Sequence, residues 1–466
     1  MEVLRDFSEQ FVGAVWGLPM VFLLSGSGLF FTIYYFFPQI RLFKHSIDVT
    51  AGKFDRPEDK GEISHFQALC AALSATIGLG NIAGVAVAIS AGGPGAVFWM
   101  WIAGLLGMST KFVSISLSMI FRTVEADGTT HGGPMYTIKN GLGKAFHPLA
   151  WAFAFFTIMG AFGAGNMFQS NQMVSLLTQS IPFAGNSFDM LGQEVKIGQV
   201  IWGVVFTGLT GLVLVGGIKR IGNVAEKLVP TMVVIYVFGA LGVIFANLGQ
   251  VPGLIGQIFS DAFTGTAAVG GFAGIAFKEV VVQGIRRAVF SNEAGLGSAA
   301  MAHSAAKSKP IQEGIVGMIG PFIDTIVVCT MTALVILITG VWSNTGGAQG
   351  AELTAIAFST LYGDLGKHML TLVVVLFAFS SIISWSYYGE QGMVFLFGKG
   401  VIKSYRVVFT LTVFLGAILK LGTILNFSDA VLGLMAIPNL LANIILSPKL
   451  KKDLKKYEAD LNAGRL

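Results

Sequence analysis

Long apolar runs recur from one end of the chain to the other, and they constrain the fold more than any motif does. A helix needs about 20 mostly apolar residues to cross a bilayer. Eleven stretches qualify: 12–37, 65–90, 94–122, 147–178, 197–216, 222–248, 254–281, 311–342, 366–396, 404–422 and 427–447. Of the 466 residues, 54% are hydrophobic and only 12% are charged. A soluble chain carries about 25% charge, so a soluble globular domain and a disordered chain are both excluded. The first stretch is too long for a signal-peptide core. Its leader Met1–Gln10 is acidic as well as basic, and no small-residue cleavage site follows, so it reads as a retained span. The expected fold is all-α and membrane-embedded, with eleven transmembrane helices.

Charge tests that count. With the amino terminus outside, the inside segments are 38–64, 122–146, 217–227, 284–310, 396–406 and 447–466, and they hold 24 of the 30 Lys and Arg. Cytoplasmic loops collect positive charge in this way. The expectation is a multi-pass cell-membrane protein with its amino terminus outside and its carboxyl terminus in the cytoplasm. The net charge of +5 is thus read as topology in a lipid bilayer, not as nucleic-acid binding. Cys70 and Cys329 lie in apolar stretches and are too few for a disulfide framework or a CxxC metal site. No cofactor is expected.

Two spans read poorly as continuous helices. The second contains Thr76-Ile77-Gly78-Leu79-Gly80-Asn81-Ile82-Ala83-Gly84, with three glycines and two polar residues at mid-membrane depth. Each Gly costs about 1 kcal/mol against Ala in a helix interior. The seventh contains Gly270-Gly271-Phe272-Ala273-Gly274. Either run alone could serve close helix packing through small-xxx-small spacing. Together they occupy places one and six of a ten-span core. Corresponding Gly-rich breaks in two halves are the sequence pointer to a five-plus-five inverted repeat with its binding site at the midplane. Unwound backbone in hydrocarbon is tolerated only when buried in protein or lining a wet cavity. Its freed N–H groups suit a carboxylate, and its freed C=O groups suit sodium. The expected organisation is 1–64 for an extra amino-terminal span and loop, 65–248 for the first repeat, 249–447 for the second, and 448–466 for a basic tail.

The string Gly92-Gly93-Pro94-Gly95-Ala96-Val97-Phe98-Trp99-Met100-Trp101 resembles the signature of the alanine/glycine:cation symporter family. Gly132-Gly133-Pro134-Met135-Tyr136 and Asn292-Glu293-Ala294-Gly295-Leu296-Gly297-Ser298 are similar to other blocks of that family. The likeness runs from about residue 60 to 440. It implies sodium-coupled, sometimes proton-coupled, uptake of alanine or glycine on the leucine-transporter fold, with one extra span before the ten-span core. It also implies that backbone groups of Thr76, Gly78, Leu79 and Gly80 meet the substrate carboxylate. The carbonyls of Ser74 and Ile77, with the hydroxyls of Ser380 and Ser381, would face one sodium ion. Thr76 and Asn81 match ligands of a second sodium site in some relatives. Phe272, Gly274 and Trp385 would fall on the pocket wall, limiting the cargo to a small neutral amino acid.

Other polar residues within spans stand on their own chemistry. Asn166 and Gln169, three apart, would share one helix face and serve either substrate contact or interhelical hydrogen bonding. Asp324 lies mid-span, where a charge costs about 2.5–3.5 kcal/mol. Ion binding, proton relay and pairing with Lys111 or Lys278 all fit it, so proton coupling through Asp324 is the alternative mechanism. Glu293 is expected in a cytoplasmic segment, anchoring a gate or loop. A membrane-embedded enzyme ranks far lower, since no H-E-x-x-H or G-x-S-x-G motif occurs.

Overall fold

A computed structural model describes residues 10–56, 58–181, 187–190, 193–264, 273–343 and 347–465. The chain is predominantly helical. The elements used below are α1 (Leu18–Tyr34), α2 (His65–Thr76), α3 (Val85–Gly92), α4 (Gly95–Phe121), α5 (His147–Phe162), α6 (Phe168–Ser180), α7 (Ile197–Leu214) and α8 (Gly217–Ala246). They continue with α9 (Val251–Thr264), α10 (Ala273–Asn292), α11 (Ala299–His303), α12 (Pro310–Gly317), α13 (Thr330–Thr339), α14 (Ala351–Tyr362), α15 (Asp364–Phe397), α16 (Ile402–Ile418) and α17 (Leu421–Asn462). Two short antiparallel pairs, Thr123–Val124 with Thr130–His131 and Ser187–Met190 with Gln193–Lys196, close loops.

Among the described residues, eight helices are long and apolar enough to cross a membrane, and α2 with the Gly80–Gly92 segment makes a ninth, bent by 47°. These nine coincide with nine of the eleven sequence stretches. α1, at 17 residues, is shorter. The stretch 254–281 divides between α9 and α10, with 265–272 outside the described residues.

Burial sorts the helices. Large apolar side chains such as Val204, Leu212, Phe238, Phe245, Val407 and Leu411 are exposed on α7, α8 and α16, the pattern of a lipid-facing rim. Every residue of α2 from Ala68 to Thr76 is buried, and most of these are small. Polar side chains of the spans such as Ser74, Asn81, Asn166, Gln169 and Asp324 are buried inside the bundle, as they must be where the solvent is hydrocarbon. Small residues let the inner backbones approach closely.

The structure corrects one reading of the second half. The expected interruption at 270–274 falls largely on residues 265–272, Phe272 included, which lie outside the described residues, and α10 runs from Ala273 to Asn292 with Gly274 in its first turn. Among the described residues, an interruption comes after α10, at 293–298, ahead of the short helix α11. Arg286 and Arg287, counted above as loop cations, sit within α10 instead. Both donate through Nη2 to Asp429 Oδ2 of α17, and the Trp16 indole N–H donates to the Asp429 carbonyl at 2.7 Å. A carboxylate far along the chain makes these cations tolerable inside the bundle, since buried charges must be paired.

Candidate functional site

The first break begins where α2 ends. A capping box starts α2, the Ser64 hydroxyl accepting from the Gln67 N–H and the Gln67 side chain accepting from the Ser64 N–H. At Ile77 the backbone leaves the helix, with φ −74° and ψ 83°. The amides freed from the helix find new partners: the Gly78 N–H donates to the Thr76 carbonyl at 2.8 Å and to Asn81 Oδ1 at 2.9 Å, and the Leu79 N–H to Gln169 Oε1 at 3.3 Å. The two glycines are required by crowding. A Cβ on Gly78 would lie 2.4 Å from the Ser381 hydroxyl oxygen, and one on Gly80 would lie 2.7 Å from Ser291 Cα. The chain resumes as a π-helical turn, Gly80–Gly84, before α3.

The second break lies against the first. Glu293 (φ 56°), Gly295 (φ 91°) and Gly297 (φ 85°) take left-handed conformations in a row, which only glycine adopts without cost. The segment is pinned on all sides. Ala294 N–H donates to Asn292 Oδ1 at 2.8 Å, and Asn439 Nδ2 donates to the Gly295 carbonyl at 2.8 Å. The Ser298 hydroxyl donates to the Glu293 carboxylate.

Asp324 ties both breaks to a third helix. It is fully buried in a second π-helical stretch, Phe322–Cys329, between α12 and α13. Asn81 Nδ2 donates to Oδ1 at 2.7 Å, the Ser291 hydroxyl reaches both oxygens at 3.0–3.1 Å, and the Thr325 hydroxyl donates to Oδ2 at 2.8 Å. Asn292 Nδ2 then donates to Thr325 Oγ1 at 2.8 Å. All these partners donate and the carboxylate accepts, which uses its acceptor-only character to the full. The Asn81 carbonyl accepts from Thr332, whose hydroxyl in turn meets the Tyr236 hydroxyl.

A third contact joins α2 to α15. The Ser74 hydroxyl donates to the Ser380 carbonyl at 2.8 Å, and the Ser381 hydroxyl donates to the Ser74 carbonyl at 3.1 Å. Ser380 also reaches the Ser74 carbonyl, at 3.3 Å. Neutral oxygens from two helices thus converge beside Gly78.

The structure brings Ser74, Ile77, Gly78, Leu79, Gly80, Asn81, Gln169, Ser380 and Ser381 to one region. It directs others elsewhere. The Thr76 hydroxyl bonds back within α2, to the Ala72 and Leu73 carbonyls. Asn166 faces α16, donating to the Phe409 carbonyl at 2.7 Å and to Thr412 Oγ1 at 2.9 Å, and its buried Oδ1 has no partner among the described residues. Gly274 is 17 residues before Ser291 on one helix, about 25 Å away at 1.5 Å per residue. Trp385 is buried against the third π-helical stretch, Gly163–Met167, where a Cβ on Gly165 would strike its ring at 2.2 Å. The residues that sequence reasoning missed here are Ser291, Asn292, Thr325 and Asn439. The available signal was the block 292–298, which adjoins Ser291 but falls in the segment 284–310 read as a cytoplasmic loop.

Three π-helical turns, two helices interrupted side by side, and peptide groups bared inside an apolar bundle are features that membrane transporters use. π-turns of this kind gather at functional sites. The chain belongs to the sodium:alanine symporter family, whose profile matches residues 1–466. It is 41% identical to the sodium/alanine symporter AgcS of Methanococcus maripaludis over 95% of each chain. It is also 41% identical to an uncharacterized transporter of Haemophilus influenzae, over 95% of this chain and 94% of that one. A probable sodium/glutamine symporter of Bacillus subtilis, GlnT, is 35% identical over 99% of this chain and 93% of its own.

Proposed function

We propose that this protein is a sodium-coupled symporter that imports small neutral amino acids, alanine and glycine, by alternating access. The observation that carries this reading is the pair of amides at Gly78 and Leu79, which the break takes out of helical pairing and which the Asn81 and Gln169 side chains cap. Such amides at the start of a half-helix bind a carboxylate. The Gln169 carboxamide oxygen on the Leu79 N–H stands where a substrate carboxylate oxygen would dock. The Ser74 carbonyl with the Ser380 and Ser381 hydroxyls offers the uncharged oxygens that suit sodium. Family membership and the kinship with AgcS favour the same cargo and ion.

In this reading the interrupted spans, 65–90 and 254–281, hold places one and six of a ten-span core, as a five-plus-five repeat requires. With α1 ahead of them, the total is eleven spans, with the amino terminus outside. Asp324, caged by donors, acts in this reading as the strut that fixes Asn81. One sodium crossing 100 mV supplies about 2.3 kcal/mol. At ~1.4 kcal/mol per tenfold, that sustains roughly a fifty-fold substrate gradient.

The test is uptake of labelled alanine into proteoliposomes at fixed pH, with sodium replaced by choline. Uptake that collapses supports sodium coupling. Undiminished uptake overturns it and leaves the proton alternative.

A further inference from the structure

Beyond the break, both half-helices converge on one buried carboxylate. Glu313, in the first turn of α12, is fully buried. Its Oε2 accepts from His65 Nδ1 at 2.6 Å, and its Oε1 accepts from His303 Nδ1 at 2.5 Å. His65 is the first residue of α2 and His303 the last of α11. Both imidazoles are buried. One side chain on α12 therefore holds the free ends of both interrupted helices, about 16 Å along α2 from its break.

The backbone reinforces the same junction. Glu62 N–H donates to the Ala305 carbonyl at 2.7 Å, and Lys307 N–H donates to the Ile63 carbonyl at 2.8 Å, a strand-like bridge between the two approaches. Gly61 passes so close that a Cβ there would lie 2.3 Å from the Ala306 carbonyl oxygen. Arg122 Nη1 caps the Ser304 and Ala306 carbonyls at 2.7 and 2.8 Å. On the other side of the break, along α10, the Arg286 and Arg287 pairs with Asp429 close the bundle separately.

We propose that Glu313 is the gating residue of the cytoplasmic side: its carboxylate, shared by His65 and His303, latches α2 and α11 shut together. Because both imidazoles lean on one carboxylate and the backbone bridge joins their approaches, the two ends move as a unit. This rests on the alternating-access reading above. Glu313 is a positioning residue, remote from the cargo.

The experiment is hydrogen–deuterium exchange on the full chain in lipid nanodiscs, without sodium or substrate, so it does not depend on what is transported. In Glu313→Gln, amides of segments 62–69 and 303–309 should exchange at least tenfold faster, while 424–432, near Asp429, should not change. Unchanged exchange in the first two segments overturns the latch, and so does equal acceleration everywhere, the mark of general loosening. Should Glu313→Gln not fold, His303→Gln decides the matter. It should speed exchange in 62–69, a segment that does not contain it, and acceleration confined to 303–309 overturns the coupling. Sodium-dependent uptake by the wild type, measured in parallel, reports on the function reading independently.

Discussion

The contact between Gly78 and Ser381 offers a quantitative test of the ion site. A methyl at position 78 would sit 2.4 Å from Ser381 Oγ but 3.5 Å from Ser381 Cβ. Gly78→Ala should therefore drive the hydroxyl away from the Ser74 carbonyl, which it meets at 3.1 Å, without disturbing the rest of α15. Losing that hydrogen bond costs about 0.5–1.5 kcal/mol, and turning Ser381 off its preferred rotamer adds about 0.5–1.5 kcal/mol. The sum, ~1–3 kcal/mol, corresponds to a roughly 5- to 150-fold rise in the sodium concentration for half-maximal uptake. Ser381→Ala alone removes the hydroxyl without crowding and should raise that concentration by roughly 2- to 13-fold, with maximal rate at saturating sodium little changed. In Gly78→Ala/Ser381→Ala the clash is gone, because 3.5 Å is ordinary contact. The double variant should therefore resemble Ser381→Ala and not the product of both effects. Sodium activation of labelled alanine uptake in proteoliposomes, run on all four proteins, gives the coupling energy directly. Strict additivity, or unchanged sodium activation in Ser381→Ala, would refute the assignment of Ser381 to the ion.

Three further changes probe the cargo side. Gln169→Glu puts a fixed negative charge on the Leu79 amide, in competition with a substrate carboxylate, and should weaken alanine binding at least tenfold, about 1.4 kcal/mol; unaltered affinity by titration would remove that amide from the site. Asp324→Asn withdraws an ionic acceptor from Asn81, Ser291 and Thr325 and should cost about 1.5–3 kcal/mol of stability, read as a lower unfolding midpoint in detergent; an unchanged midpoint would deny it the role of strut. Trp385→Ala should open space beside Gly165 and admit larger side chains as competitors of alanine uptake, whereas an unaltered competitor profile would take Trp385 out of the pocket wall.

The chain's own chemistry explains which of these features could be read in advance. Hydropathy located the long helices, because a bilayer imposes length and apolarity locally. Gly78 and Gly80 were legible as a candidate break, because glycines beside Thr76 and Asn81 at that depth weaken a continuous helix, although close packing also uses such glycines. The expected break at 270–274 falls largely on residues outside the described ones, and the interruption at 293–298 was less legible. It follows two arginines that a charge count assigns to a cytoplasmic segment. Only Asp429, 142 residues from Arg287, makes those arginines internal, and no local pattern reveals a partner so distant. Asn166 and Gln169 illustrate a different limit. Residues three apart share a face on an α-helix, but the wider π-turn at Gly163–Met167 swings Asn166 toward α16 and leaves Gln169 facing Leu79. The His65–Glu313–His303 junction likewise joins three segments whose sequences, taken singly, carry only isolated polar residues.

The central claim is that peptide groups bared at Gly78 and Leu79 receive the cargo carboxylate, with sodium held beside them by Ser74, Ser380 and Ser381. An electron-density or cryo-electron-microscopy map of the protein with alanine and sodium bound tests it most directly. The account predicts the carboxylate on the Leu79 N–H, Gln169 turned aside, and an ion between the Ser74 carbonyl and the Ser381 hydroxyl. Alanine lodged away from this break, with Gln169 still capping Leu79, would contradict it.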